Sequence, residues 1–194
     1  MIEHTINNNN NFINAWYMQN KLICDDLINL FENSKEKQQG TLGFKNNRID
    51  IKQKNSTDLF LNNYINEICV VDYLKELSNI VNEYKKKYIY SDKHQNNWGL
   101  TEIFKIQRYL PNEGYHMWHT ERQGYSSCKR HLTFMTYLND VTDAGETEFY
   151  YQKLKVKPQK GLTLIWPVDW THTHKGNPSP SQEKAIITGW YSFV

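Results

Sequence analysis

The spacing of apolar residues changes about midway along the chain. In the first half it follows helical intervals: Leu27, Ile28, Leu30 and Phe31 come after the acidic pair Asp25–Asp26, and Gly40 closes that segment. A second helix is predicted from about Ser56 to Ile68, with Ser56 or Thr57 as its N-cap. A third, from about Val71 to Lys87, carries Tyr73, Leu74, Leu77, Ile80, Val81 and Tyr84 on one face. Its last turn, Lys85–Lys87, places cations where the helix dipole favours them.

From about Glu102 the pattern becomes short β-rich runs. Strands are predicted at Glu102–Leu110, Tyr115–Thr120, Arg130–Asn139, Thr147–Tyr150, Leu154–Lys157, Gly161–Trp166, Thr171–Lys175 and Ala185–Phe193. The turn-forming stretches PNEG, DAGE, KPQKG and GNPSPSQ separate them. Strands this dense after a helical region predict an α+β, mainly β fold: a double-stranded β-helix (jelly roll) core with N-terminal supporting helices. The length, 194 residues, suits a single domain over 1–194, with about 1–100 as helical support and about 101–194 as the jelly roll.

Composition supports a packed core despite a mean hydropathy of −0.77, because 13 Tyr, 8 Phe and 6 Trp supply apolar bulk. Trp166 and Trp190 read as core aromatics. The run Asn7–Asn11 reads as a solvated N-terminal segment. A net charge of +2 is too mild and too dispersed to point to nucleic acid. Three scattered cysteines, Cys24, Cys69 and Cys128, form no CxxC pair and suggest neither a zinc knuckle nor a disulfide framework. The start, MIEHTINNNN, has no apolar core of a signal peptide, and no stretch approaches 18 apolar residues. A soluble, cytoplasmic protein without membrane partners is therefore expected.

The histidines add candidate chemistry. GYHMWHTER holds His116, His119 and Glu121, and DWTHTHKGNP holds His172 and His174. Side chains two apart on a strand share a face, so His119 pairs with Glu121 and His172 with His174, while His116 turns away. Two imidazoles and a carboxylate form the three-ligand set that suits Fe(II), and zinc accepts the same donors. Jelly rolls of this kind often hold a metal between their sheets.

The stretches GYHMWHTE, RHLTFMTYLNDVTDAGETEF and GLTLIWPVDWTHTHKGNPSPSQEKAIITGW closely resemble the core of the 2-oxoglutarate- and Fe(II)-dependent dioxygenases, and within them the prolyl 4-hydroxylase-like group of bacterial and viral type. The resemblance covers about residues 103–194. It implies His119, Glu121 and His174 as metal ligands and catalytic residues. Glu121 departs from the Asp usual in the family, and its extra methylene must fold back or shift the backbone. The family pattern H-x-x-x-P with a basic residue six further on selects His174, through Pro178 and Lys184, over His172. Lys184, with Tyr109, Tyr137 and Thr188, is implied to bind 2-oxoglutarate. Implied cofactors are Fe(II), 2-oxoglutarate as cosubstrate and ascorbate. The implied reaction hydroxylates a C–H bond of peptidyl proline, releasing succinate and CO2; a free amino acid, another small molecule or a nucleobase is the alternative substrate. A non-catalytic metal-binding jelly roll is the competing reading. Trp118, Arg122, Tyr125 and Trp170 are expected to line a peptide groove, and the loop Glu121–Lys129 to choose the substrate.

Overall fold

The computed structural model describes residues 1–6, 11–42, 48–62 and 64–194, so most of the Asn7–Asn11 run lies outside the described residues. Strands β1 (Ile2–His4) and β2 (Asn14–Tyr17) precede helix α1 (Leu22–Asn33). Then come β3 (Gln38–Gln39), β4 (Thr57–Leu61), helix α2 (Ile68–Lys87) and β5 (Trp98–Gly99). The second half supplies β6 (Phe104–Tyr109), β7 (Tyr115–His119), β8 (Arg130–Tyr137) and β9 (Thr147–Phe149). It ends with β10 (Leu154–Val156), β11 (Leu162–Pro167), β12 (His174–Gly176) and β13 (Lys184–Phe193).

Among the described residues these strands form two antiparallel sheets packed as a jelly roll. The larger runs β1-β2-β11-β8-β13-β6-β4-β3, with β5 beside β13; the smaller runs β10-β9-β12-β7. Helices α1 and α2 cover the outer face of the larger sheet, and the smaller sheet covers its inner face. Both faces of β8 and β13 are thus covered, and their residues are buried almost without interruption. On β13, Ala185, Ile187 and Tyr191 pack under the helices, in one cluster with Tyr73, Leu77 and Ile80 of α2. Ile186 faces the smaller sheet with Met135, Tyr137, Phe149 and Trp166.

The second predicted helix does not form. Its first residues are strand β4, in which Leu59 and Leu61 enter the helix-side core while Asp58 and Phe60 take the opposite face. That period-two pattern is too short to outweigh a Ser-Thr start in a reading of the sequence, and pairing with β6 settles it. Helix α1 ends at Asn33, well before Gly40. The predicted strand Thr171–Lys175 is also shorter: Trp170–His172 form a 3₁₀ turn and β12 begins only at His174. The first hundred residues, read as helical support, contribute five strands to the larger sheet as well as both helices.

Gly189 marks the tightest contact of the helix-side core. A Cβ there would lie 2.6 Å from Phe104 Cβ and 2.7 Å from the Phe134 ring. Gly189→Ala is expected to destabilise the fold by about 1–3 kcal/mol through overpacking, read as a lower urea midpoint at unchanged slope.

Candidate active site

A cavity of about 380 Å³ opens between the sheets. Period-two alternation builds its walls. From β13 come Lys184, Ile186, Thr188 and Trp190; from β6, Lys105, Gln107 and Tyr109; from β7, Tyr115, Met117 and His119. His174 enters from β12, whose backbone pairs His174 with His119.

His119, Glu121 and His174 meet at one point, their ligand atoms all within 4.8 Å of one another. Glu121 Oε1 lies 3.7 Å from His119 Nε2 and 3.2 Å from His174 Nε2. Each imidazole is fixed from behind: His119 Nδ1 lies 3.0 Å from the Met117 carbonyl oxygen, and His174 Nδ1 lies 2.9 Å from that of His172. A carbonyl only accepts, so each Nδ1 carries the proton and each Nε2 directs a lone pair at the carboxylate. Burial, reinforced by His174, lowers the pKa of His119 and favours its neutral form. Acceptors that converge with no proton between them repel one another and call for a cation. Neighbouring ligands on a metal at about 2.1 Å stand about 3 Å apart, so the donor set and its spacing fit a metal ion bound from one side.

The longer Glu121 is held by Trp190, whose indole N–H donates to Oε2 at 2.8 Å. Trp190 is therefore not simply the core aromatic expected. Arg130 stacks its guanidinium 3.4 Å from the Trp190 ring centre and donates to the Glu121 carbonyl oxygen at 2.8 Å. Two guanidinium nitrogens of Arg130 also donate to Glu102. The sequence offered no sign of this support, because neither Trp190 nor Arg130 is near Glu121 along the chain. Trp166, by contrast, is a core residue.

At the other end, Lys184 is buried with its ammonium 2.9 Å from the Gly145 carbonyl oxygen and 2.8 Å from that of Asn177. Two of its three N–H donors are thereby used. Burial lowers its pKa to about 8. Tyr109 lies beneath it, ring centre 5.2 Å from the ammonium, with its hydroxyl donating to Gln107. The Tyr137 hydroxyl sits between Thr147 Oγ1, at 2.7 Å, and the Val156 carbonyl, at 3.0 Å. Thr188 shares the Lys184 face, but its hydroxyl donates to the Phe134 carbonyl oxygen rather than toward the metal cluster.

His172 does not share the face of His174. Its Nε2 lies 2.8 Å from the Asn11 carbonyl oxygen, because the 3₁₀ turn rotates it out of strand geometry. His116 is absent from the cavity wall, as are Trp118, Arg122, Tyr125 and Trp170. Trp118 alternates outward on β7 and packs on Tyr150, and Arg122 pairs with Asp169. Of the loop expected to choose the substrate, Gln123, Gly124, Ser126 and Ser127 do line the cavity. No helix among the described residues is long and apolar enough to cross a membrane.

Comparison with known proteins agrees with this geometry. A probable prolyl 4-hydroxylase 9 of Arabidopsis thaliana is 30% identical over 115 residues, 46% of this chain, and the chain spans only 40% of that protein. Among solved structures, the viral collagen prolyl hydroxylase of Paramecium Bursaria Chlorella virus-1, in complex with 2OG, is similar at TM-score 0.67 and 21% identity, covering 94% of this chain and 97% of that one. A Trichoplax adhaerens prolyl hydroxylase, in complex with a hypoxia inducible factor oxygen degradation domain peptide fragment, reaches TM-score 0.73 at 17% identity, covering 94% and 84%. A Pseudomonas putida prolyl-4-hydroxylase gives TM-score 0.68 at 12% identity, covering 93% and 91%. At such identities these structures speak for the fold alone. The model of the 2OG-Fe(II) oxygenase superfamily matches residues 104–192, the stretch that carries His119, Glu121, His174 and Lys184.

Proposed function

We propose that this protein is an Fe(II)- and 2-oxoglutarate-dependent hydroxylase acting on proline-containing peptides. The observation that carries this reading is the pairing, in one cavity, of a three-donor cluster at one end with a buried, incompletely satisfied lysine at the other. When bound, the metal and 2-oxoglutarate supply dioxygen activation and hydroxylation of a C–H bond, with release of succinate and carbon dioxide. The chain's part is to bind, orient and exclude water. His119, Glu121 and His174 would hold the metal through Nε2, Oε1 and Nε2. The Met117 and His172 carbonyls keep both imidazoles in the metal-binding tautomer, and the Trp190 N–H draws the glutamate back to the required reach. The remaining donor of Lys184 would bind the distal carboxylate of 2-oxoglutarate, with Tyr109 and Tyr137 as walls. The Thr188 hydroxyl is committed to the backbone and acts by shape. Peptidyl proline is favoured as substrate because the similar proteins named above are described as prolyl hydroxylases.

Anaerobic addition of Fe(II) and then 2-oxoglutarate should develop the visible charge-transfer absorption of the chelate. With neither that band nor succinate formation, the proposal fails. His174→Ala should abolish metal binding in calorimetry, whereas His172→Ala, which keeps its backbone carbonyl, should retain most of it. Trp190→Phe removes one N–H from Glu121 and should weaken metal affinity about 10–100-fold. Lys184 has a folded-state pKa lowered to about 8, so its ammonium is lost as pH rises through that value. The KM for 2-oxoglutarate should therefore climb between pH 7 and 9, and this dependence should vanish in Lys184→Met, with KM raised at least about 30-fold throughout.

A further inference from the structure

One wall of the cavity holds charge that the chemistry above does not use. Asp58 is fully buried behind it and accepts from Lys54 at 2.8 Å, Lys105 at 3.1 Å and Ser56 at 2.7 Å. Gln107 adds contacts of 3.0 and 3.2 Å to its two oxygens. A carboxylate has about four lone-pair positions, so Asp58 is saturated. Its pKa, which burial alone would raise, is pulled down to about 2 by the two lysines, so it stays ionised.

Lys54 alone would neutralise Asp58. It is 1% exposed, and Gly40 packs so closely that any Cβ there would overlap Ser56 Oγ and come within 2.9 Å of the Lys54 ammonium. Burial, then the charge of Lys105, lowers the Lys54 pKa to about 8. Lys105 is thus a surplus cation that the cluster tolerates with difficulty. Its ammonium has three donors; among the described residues, Asp58 is its one hydrogen-bonding partner, and its side chain keeps 15% exposure on the cavity wall.

The proposed catalytic groups do not absorb this charge. A divalent metal with Glu121 and a dianionic cosubstrate with Lys184 cancel one another, and Arg130 is paired with Glu102. Lys105 also leans away from β13, toward Asp58 on β4, whereas Lys184 and Trp190 lie on β13. Two cations that share one carboxylate on an enclosed wall are under-compensated until a second anion enters. We infer that Lys105, backed by Lys54 and Asp58, forms a subsite for a carboxylate of the substrate, on the β4 side of the cavity. This rests on the hydroxylase reading and narrows it, because an uncharged prolyl segment would leave the cation unmatched. The carboxylate belongs either to a free amino acid or to an acidic residue beside the target proline.

Two matched probe pairs separate those sources: L-proline against L-prolinamide, and a capped proline peptide with glutamate beside the proline against the same peptide with glutamine. Binding is measured by calorimetry under argon on protein loaded with Fe(II) and 2-oxoglutarate, so turnover is not needed. At least one carboxylate-bearing probe should bind about tenfold or more tighter than its neutral partner. Lys105→Met should erase that preference and Lys105→Arg should keep most of it; Asp58 retains Lys54, Ser56 and Gln107 in both variants. The inference is overturned by equal binding within both pairs, by a preference that survives Lys105→Met, or by a loss confined to 2-oxoglutarate affinity. Carboxylate preference without turnover of any probe would count against the hydroxylase reading instead; turnover without preference would count against the subsite alone.

Discussion

Three acceptor atoms aimed at one another across less than 5 Å are the constraint around which this molecule is arranged. Left alone they repel, so the fold must hold them there by force from elsewhere. It does so through backbone: the Met117 and His172 carbonyls grip the far side of each imidazole, and strand pairing sets His174 opposite His119. Burial on both faces of the sheets supplies the stiffness, because a close-packed interior cannot relax to let the donors separate. The helix layer is part of that support, since it closes the outer face of the sheet whose inner face forms the cavity floor.

The carboxylate shows how a change of one methylene spreads outward. Glu121 reaches back to the histidines only because its second oxygen has somewhere to go, the indole N–H of Trp190. Trp190 is in turn flattened by Arg130, which also holds the Glu121 backbone and is anchored by Glu102. A longer ligand is thus matched by a donor behind it rather than by a displaced strand.

Much of this was legible in the residues. The short β-rich runs from about Glu102 onward set out the jelly roll, and the family resemblance implied His119, Glu121, His174 and Lys184, which the fold brings to one cavity. Tyr109, Tyr137 and Thr188 fell on its walls or in its register, although the Thr188 hydroxyl turned to the backbone. What escaped depended on long-range pairing. Thr57–Leu61 carries a helix-like start and becomes a strand because β6 offers it an edge. His172 has the same local setting as His174 until a 3₁₀ turn rotates it toward Asn11. Trp190 and the Lys54–Asp58–Lys105 group are ordinary residues in ordinary strands or loops, and only the folded sheet brings them face to face.

Strand β13 gives this arrangement a mechanical character. Its ten residues span about 34 Å as one rod, carrying Lys184 near one end and Trp190 near the other, while its opposite edge of side chains is wedged under the helices. The two ends cannot be tuned separately: a tilt that shifts the lysine shifts the indole with it.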